Sequence, residues 1–545
     1  DGRVVFNHNG AAYTFGAGFF GTGAIDHLGG TTILTGDGSG FDGTTTVSGG
    51  TLRVNGVLGG AFEVTSGGKA GGSGTLGTVT IGSGGTLAPG NSIGTMNVAS
   101  VAFNAGSIYE VEINALGQSD LLAATGAAAL AGTVHVVPFP DYALNTPYLI
   151  LTAGGGVSGA FSGIDFPGAS YFLSPQLTYT SNAVTLTLAA SNFQTAALTP
   201  NQIAAAGAAQ GAGPGDGVYD AIALVPDAAS AQAAFDAISG ELHASLLGVL
   251  SDDSRYVREA AIGRLRDTGG EEGGSVWAYG FGVSGERDGD GNAAAADAST
   301  AGGFIGADFA LNGVWRLGAV AGFQHSDLDI DALASSASID TVQFGVYGGG
   351  RWDRWALRAG GAYATHDVET DRIVAFPGFS DAAGGSYDAT TWQLFAELAY
   401  RFEAGATGIE PFVRIAHVAV DTDAFDETGG AVALEGADGS LDADLATLGV
   451  NFDAAFSLGG ADAKVRGQIG WRHAFDDSAP RRVLVLSGNQ AFEVAGLPVQ
   501  TDAAAIALGL DVTLSPGASL SVSYDGLIGD AGADHGVNAR LALRF

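Results

Sequence analysis

The sequence predicts an all-β protein with a short helical linker: a β-solenoid followed by a twelve-stranded antiparallel transmembrane β-barrel plugged by an α-helix. Three observations carry this reading. Residues 1–105 repeat a short β-branched alternation that ends in a Gly-rich turn. Residues 191–272 turn Ala-rich and carry helix start signals. Residues 273–545 hold twelve alternating segments separated by Gly/Asp turns, and an even number of such segments is the mark of a membrane barrel.

Composition removes several other classes. The 545 residues include 89 Gly and no Cys, so neither a disulfide scaffold nor a thiolate metal site is available. The net charge of −35 argues against nucleic acid, whose phosphates require a basic surface. A 46% hydrophobic content with positive mean hydropathy argues against disorder. No uninterrupted apolar run reaches the length of a membrane helix. The chain begins at Asp1 without a basic-then-apolar leader, and it reads as a processed or truncated piece.

The solenoid rests on the segments TTTVSGGTLRVNG (44–56), FEVTSGGKAGGSG (62–74) and TVTIGSGGTLAPG (78–90). Repeats of this period let each coil bury its apolar face on the next. A meander of antiparallel hairpins is the alternative. Residues 106–190 lose the repeat but keep strands at 107–114, 132–138, 146–153 and 182–189, which suits a cap over the solenoid's exposed edge. In the linker, Thr199 followed by Pro200 is a cap and first-turn pair. A second helix start falls at Pro226–Asp227. The segment SDDSRYVREAAIGRLR (251–266) reads as a further helix, started by Ser251, Asp252 and Asp253 and ended by Arg264 and Arg266.

The barrel segments begin near Trp277, Phe304, Trp315, Val342, Trp355, Trp392, Phe412, Ala446, Val465, Ile506, Leu520 and Val537, each about ten residues long. In the sixth, Trp392, Leu394, Ala396, Leu398, Tyr400 and Phe402 share one face, and Gln393, Phe395, Glu397, Ala399 and Arg401 the other. A soluble sandwich also alternates. Two features favour a membrane barrel: charges recur on the polar face strand after strand, and aromatic residues gather near segment ends. The latter are Trp277, Trp315, Trp352, Trp355, Trp392, Tyr400, Phe402 and Trp471, placed as an interfacial girdle.

A barrel of twelve strands is too wide for its own side chains to fill. Residues 251–266 would form roughly 24 Å of helix at about 1.5 Å per residue, close to an apolar band about 25 Å tall. The expected plug therefore offers Arg255, Arg258 and Arg264 to the lumen acids Asp308, Glu397, Asp453, Asp511 and Asp525. Inward Arg358, Arg401, Arg466 and Arg472 would meet Glu259 or those same acids. A solvated helix at the barrel mouth is the alternative.

Three motifs resemble the type Va autotransporters. The last strand alternates Val537, Ala539, Leu541, Leu543 and Phe545 and ends LALRF, similar to an outer-membrane assembly signal. GGTLAPGNSIGTM (84–96) resembles the passenger-associated repeat, and residues 239–260 resemble the approach to the pore helix. The resemblance implies a right-handed β-solenoid passenger on the surface of a Gram-negative cell and a translocator barrel in the outer membrane. It implies as partners outer-membrane lipid and lipopolysaccharide, the barrel assembly machinery and periplasmic chaperones. It also implies an autochaperone role for residues 78–189. An adhesin-like passenger is expected, with a hydrolase domain upstream of residue 1 as the alternative.

No cofactor, metal or catalytic constellation is expected. Gly90-Asn91-Ser92-Ile93-Gly94 matches G-x-S-x-G but lacks the strand–turn–helix setting of a nucleophile elbow and reads as a solenoid turn. His8, His27, His135 and His243 lack metal-ligand spacing. The stretches 327–331 (DLDID) and 288–292 (DGDGN) read as solvated loops rather than calcium sites. No Asn lies between Asn201 and Asn292, so the pore helix has no asparagine to cleave itself, and the passenger is expected to stay attached, with cleavage driven by lumen acids near Asp252 and Asp253 as the alternative.

Overall fold

The computed structural model describes residues 2–10, 12–139, 141–168, 170–268, 273–311, 313–475, 479–488 and 491–545. The chain divides into two compact units, Asp1–Asn192 with Ala223–Asp227, and Phe193–Ile222 with Ala228–Phe545. The end of the expected linker, residues 269–272, lies outside the described residues.

The first unit is built from coils. Ala24, Thr44, Ala61, Thr78 and Ser100 sit side by side on successive parallel strands. Parallel pairing excludes the antiparallel meander. A second parallel sheet runs alongside, from Tyr13–Phe15 through Thr31–Leu34, Gly50–Val54 and Gly68–Gly72 onward. Alternate side chains point between the sheets: Phe62, Val64, Val79, Ile81, Leu87 and Val111 are fully buried. Each such burial is worth about 1.5–3 kcal/mol. The turns need glycine. Gly50 and Gly60 both take φ +69°, and a Cβ on either would overlap the carbonyl oxygen of Gly30 or Gly43 in the preceding coil.

The stacking does not end near residue 105. Ile108–Ile113 pairs in parallel with Thr133–Pro138, which pairs with Gly163–Asp165. Turn lengths vary there, so the repeat fades from the sequence while the coil persists. The antiparallel hairpin Leu173–Tyr179 and Ala183–Ala190 lies against Pro147–Ala153 and covers that edge.

The second unit opens with helices α1 (Pro200–Ala212), α2 (Gly217–Ala223), α3 (Ala228–Ile238), α4 (Glu241–Asp253) and α5 (Arg255–Asp267). Thr199 caps α1, its hydroxyl accepting from the Gln202 N–H at 3.2 Å. The expected single helix over 251–266 is instead the end of α4 and most of α5. They meet at Ser254, whose hydroxyl donates to the Ser251 carbonyl at 2.7 Å while its own carbonyl accepts from Gln393 Nε2 at 2.6 Å. A side chain thus occupies the acceptor that a continuous helix would use. Ser251, Asp252 and Asp253 accordingly are not caps; they are buried in the last turn of α4.

Twelve antiparallel strands follow, from Gly274–Arg287 to Gly532–Arg544, and the first pairs with both the second and the last, closing the cylinder. They run from 12 residues (Ala518–Gly529) to 22 (Trp355–Phe376 and Phe379–Tyr400), well beyond the ten expected. On the sixth strand, Trp392 to Tyr400 covers about 26 Å along the strand at roughly 3.3 Å per residue, or about 20 Å after a typical tilt of about 40°. That stretch alone nearly spans the apolar band, so the residues from Phe379 onward project beyond it.

Candidate functional site: the occupied barrel lumen

Alternation along each strand sends apolar groups out and polar groups in. Leu394 is 59% exposed on the outside, while its neighbours Gln393 and Phe395 are buried. Outward aromatics pair near the short-turn end, Trp315 with Trp352 and Trp355 with Tyr400. Trp392 and Trp471 bound the other side of the band beside His417 and His473. Trp277 is not part of this girdle. It faces the lumen at 3% exposure, and its indole N–H donates to Tyr347 Oη at 2.7 Å. Parity decides, because a segment-end position says nothing about the face.

Helix α5 lies inside the cylinder, and the wall holds it along its length. Arg264 Nε donates to Asp308 Oδ2 at 2.7 Å, and the same guanidinium reaches Ser275. Asp308 also receives Arg316 and the Tyr347 hydroxyl, the latter at 3.1 Å. Arg255 meets Asp534 at 2.7 Å, an acid the sequence reading did not select. Arg258 donates to Gln393 Oε1 at 2.5 Å, an amide rather than an acid. Tyr256 packs on Phe281, with ring centroids 4.7 Å apart. At the lower end Asp267 meets Arg466 at 3.4 Å and also Arg540.

The remaining expected lumen acids serve the wall more than the helix. Glu397 takes Arg358 at 2.6 Å and Arg414 at 2.8 Å, with Arg266 of α5 at 3.5 Å. Asp453 pairs with Arg401 at 2.7 Å, Asp511 with Arg466 at 3.2 Å, and Asp525 with Asn538. Arg472 reaches Asp252 at 3.2 Å, and Glu259 lies 4.0 Å from Arg414. Asp253 accepts from the Ser326 hydroxyl at 2.6 Å. These contacts bury paired charges, and removing one partner of such a pair costs about 3–5 kcal/mol. Partners such as Asp252, Asp267 and Asp534 were missed. The one signal available was their inward or helix-borne position, with nothing in the sequence to set which strand each would face.

The upper mouth is covered by a small sheet formed from two long loops, Phe425–Asp426, Leu434–Gly436, Arg481–Leu486 and Ala491–Ala495. His243 of α4 donates its Nε2–H to Glu427 Oε1 at 2.8 Å beneath it. Glu241 receives the Ala294 N–H at 2.7 Å and Asn201 Nδ2 at 3.0 Å; burial pushes its carboxyl up to about 7 against those donors. Long loops mark the external end of such barrels and short turns the periplasmic end. The chain therefore enters the lumen from outside and descends through α5, and the first strand starts beside Phe545, whose carbonyl accepts from the Gly274 N–H at 3.2 Å.

The motifs set aside in the sequence have ordinary places. Gly90–Gly94 is a solenoid turn in which Gly94 N–H donates to Asp120 Oδ1 at 2.9 Å and Asn91 bridges to Asn55 at 2.9 Å. Asp290 accepts from the Asn292 and Ala293 amides at 2.8 Å, closing its own loop. Among the described residues no cluster of three or more His, Cys, Asp or Glu is placed to hold a metal ion. No described helix is long and apolar enough to cross a membrane, which leaves strand crossings as they are.

Fold and site together define a membrane β-barrel whose lumen is occupied by its own preceding helix. Residues 276–525 match the autotransporter beta-domain family, which makes the barrel an outer-membrane autotransporter translocator with the solenoid passenger region on the cell surface. It is 31% identical over 580 residues to an extracellular serine protease of Serratia marcescens, spanning 95% of this chain and 55% of that protein. A second extracellular serine protease of that organism is 29% identical over 96% of this chain and 56% of its own length. The adhesin BmaC autotransporter of Brucella suis biovar 1 (strain 1330) is 42% identical over 94 residues, 16% of this chain and 3% of its own. The chain spans about half the length of the two proteases. Among solved structures, the translocator domain of autotransporter NalP from Neisseria meningitidis is 17% identical at a TM-score of 0.44, covering 54% of this chain and 96% of that one.

Proposed function

We propose that the barrel and α5 work as a stoppered exit: the barrel passes the passenger outward, and α5 then remains in the lumen as the seal and tether. The observation carrying this is the set of buried contacts from Arg255, Arg258, Arg264 and Asp267 to the wall. Such charges find partners only when the helix is seated, so seating completes secretion and closes the hole to any further polypeptide. The solenoid adds coils to an existing edge, and its membrane-proximal end serves as the template for the rest. The barrel assembly machinery, periplasmic chaperones and the lipopolysaccharide leaflet are the partners this route requires, with the terminal Phe545 strand as the assembly signal. Fewer basic than acidic residues keep the emerging chain off anionic lipid.

We infer that residues 1–190 are a non-catalytic stem. For the effector beyond it, the likeness to two extracellular serine proteases extends along nearly the whole chain, whereas that to an adhesin covers 16%. This supports the hydrolase reading of the full protein over the adhesin-like one. The stem stays joined to the barrel, because α4 and α5 meet at Ser254 with no asparagine on either helix. Washed cells expressing the protein test this on a denaturing gel. Stem and barrel are expected in one band that external protease shortens; a separate stem band without protease would overturn the attachment.

A further inference from the structure

Helix α5 does not fill the lumen. Beside it, against the seventh to twelfth strands, lies a cavity of about 270 Å³. It follows the ninth strand, Ala461–Ala474, from Lys464 near the short-turn end to Arg472 near the outer end, so it runs beside most of the helix. Ten basic and six acidic side chains line it, in a chain that carries only 22 basic residues against 57 acidic ones. The charge of the cavity lining is thus opposite in sign to that of the molecule.

Nine of these ten cations meet a carboxylate, and the pairing leaves one cation and several buried donor atoms over. Arg258 is bonded to the Gln393 amide. Arg472 is 6% exposed; one nitrogen meets Asp252, while Nε and Nη2 have no hydrogen-bond partner among the described residues. Asn451, 5% exposed, lacks a partner for both amide atoms among the described residues and lines the same cavity. Buried donors of this kind call for water or an anion. Rings of Arg and Lys select anions in pores because a low-dielectric wall focuses their field on the path.

We propose that this cavity is an anion-selective path, through which small inorganic anions cross the barrel while α5 is seated. The proposal rests on the seated helix described above. Arg258 and Arg472 set the selectivity, with Asn451 supplying a neutral donor on the same cavity wall. A small anion moves through; nothing the size of a folded segment does.

The test is single-channel recording of the whole protein in planar bilayers under a potassium chloride gradient. The intact protein is expected to pass a small current with chloride permeability about threefold or more above that of potassium. Arg258→Gln with Arg472→Gln should bring the ratio, read from the reversal potential, to about one. Potassium preference, no current at all, or an unchanged ratio in the double variant would each overturn the proposal. Asn451→Leu, which keeps every charge, should lower the anion current while preserving its sign; an unaltered current would remove Asn451 from the path. A large, unselective current in the intact protein would instead refute the seated helix itself, which separates the two readings.

Discussion

The solenoid and the barrel are both Gly-rich, both all-β, and both alternate at every second residue, yet they are inside-out relative to one another. In the solenoid Phe62 and Val79 point inward and are fully buried between two sheets. In the barrel Phe344 and Leu394 point outward, each 59% exposed, while Arg264 and Asp308 are buried inside. The same period-2 pattern therefore does not say which face is the core. The density and burial of charge on the other face do: mostly Thr, Ser and Gly with a few solvent-side charges such as Glu63 and Glu110 oppose the solenoid's apolar face, whereas buried Arg, Asp and Glu recur opposite the barrel's. A fully charged face needs a wet interior and a partner set, and the barrel supplies both.

The largest effect that would break this contrast is a cavity. Phe62→Ala is expected to cost about 3–5 kcal/mol, because the solenoid core cannot collapse around the gap. Phe344→Ala removes the same side chain where lipid refills the space, and it should cost well under half as much. Protease resistance of the stem and heat-modified gel mobility of the barrel read the two separately. Equal losses would mean that the barrel exterior is not lipid-wetted.

A charge sharpens the contrast at the next level. Leu541→Arg places a cation on the lipid face near mid-membrane and should cost about 2–4 kcal/mol, seen as reduced barrel assembly. Thr44→Arg sits on the exposed side of a coil and should stay within about 0.5 kcal/mol of the parent. Normal assembly of the first, or loss of stem folding in the second, would contradict the assignment of faces.

The smallest effect concerns pH in the dry unit. Burial pushes Asp120 up to about 7, although it accepts from the Gly94 and Glu112 amides at 2.9 Å. The folded stem thus holds a proton that the unfolded chain has released. Asp120 adds stability that is present at pH below about 4 and is lost as pH rises through about 7. Asp120→Asn should flatten that slope between about pH 4 and 7 in urea unfolding of the stem. An unchanged slope would place the titration elsewhere.

What was legible follows the same physics. Strand number and inward parity are local properties, so Asp308, Glu397, Asp453, Asp511 and Asp525 could be picked out from alternation. Strand length was not legible, because above the membrane the outward face turns to Asp and His and the apolar signal stops. The helix breaks at Gly240 and Ser254 were hidden as well. Gly240 takes φ +68° where loop residue Leu434 approaches, and Ser254 yields its carbonyl to Gln393, both partners distant in sequence. The pairings of Arg255 with Asp534 and of Asp267 with Arg540 depend on how the helix is rotated and set in height within the cylinder. No single-chain pattern encodes that.

The central claim is that α5 sits in the lumen and seals it through its charges. Conductance of the Arg255→Glu, Arg258→Glu, Arg264→Glu triple variant in planar bilayers tests this most directly, since each new carboxylate would face Asp534, Gln393 or Asp308. The account predicts a rise of about tenfold or more over the intact protein as the helix is expelled. A triple variant that assembles normally and conducts no more than its parent would contradict it.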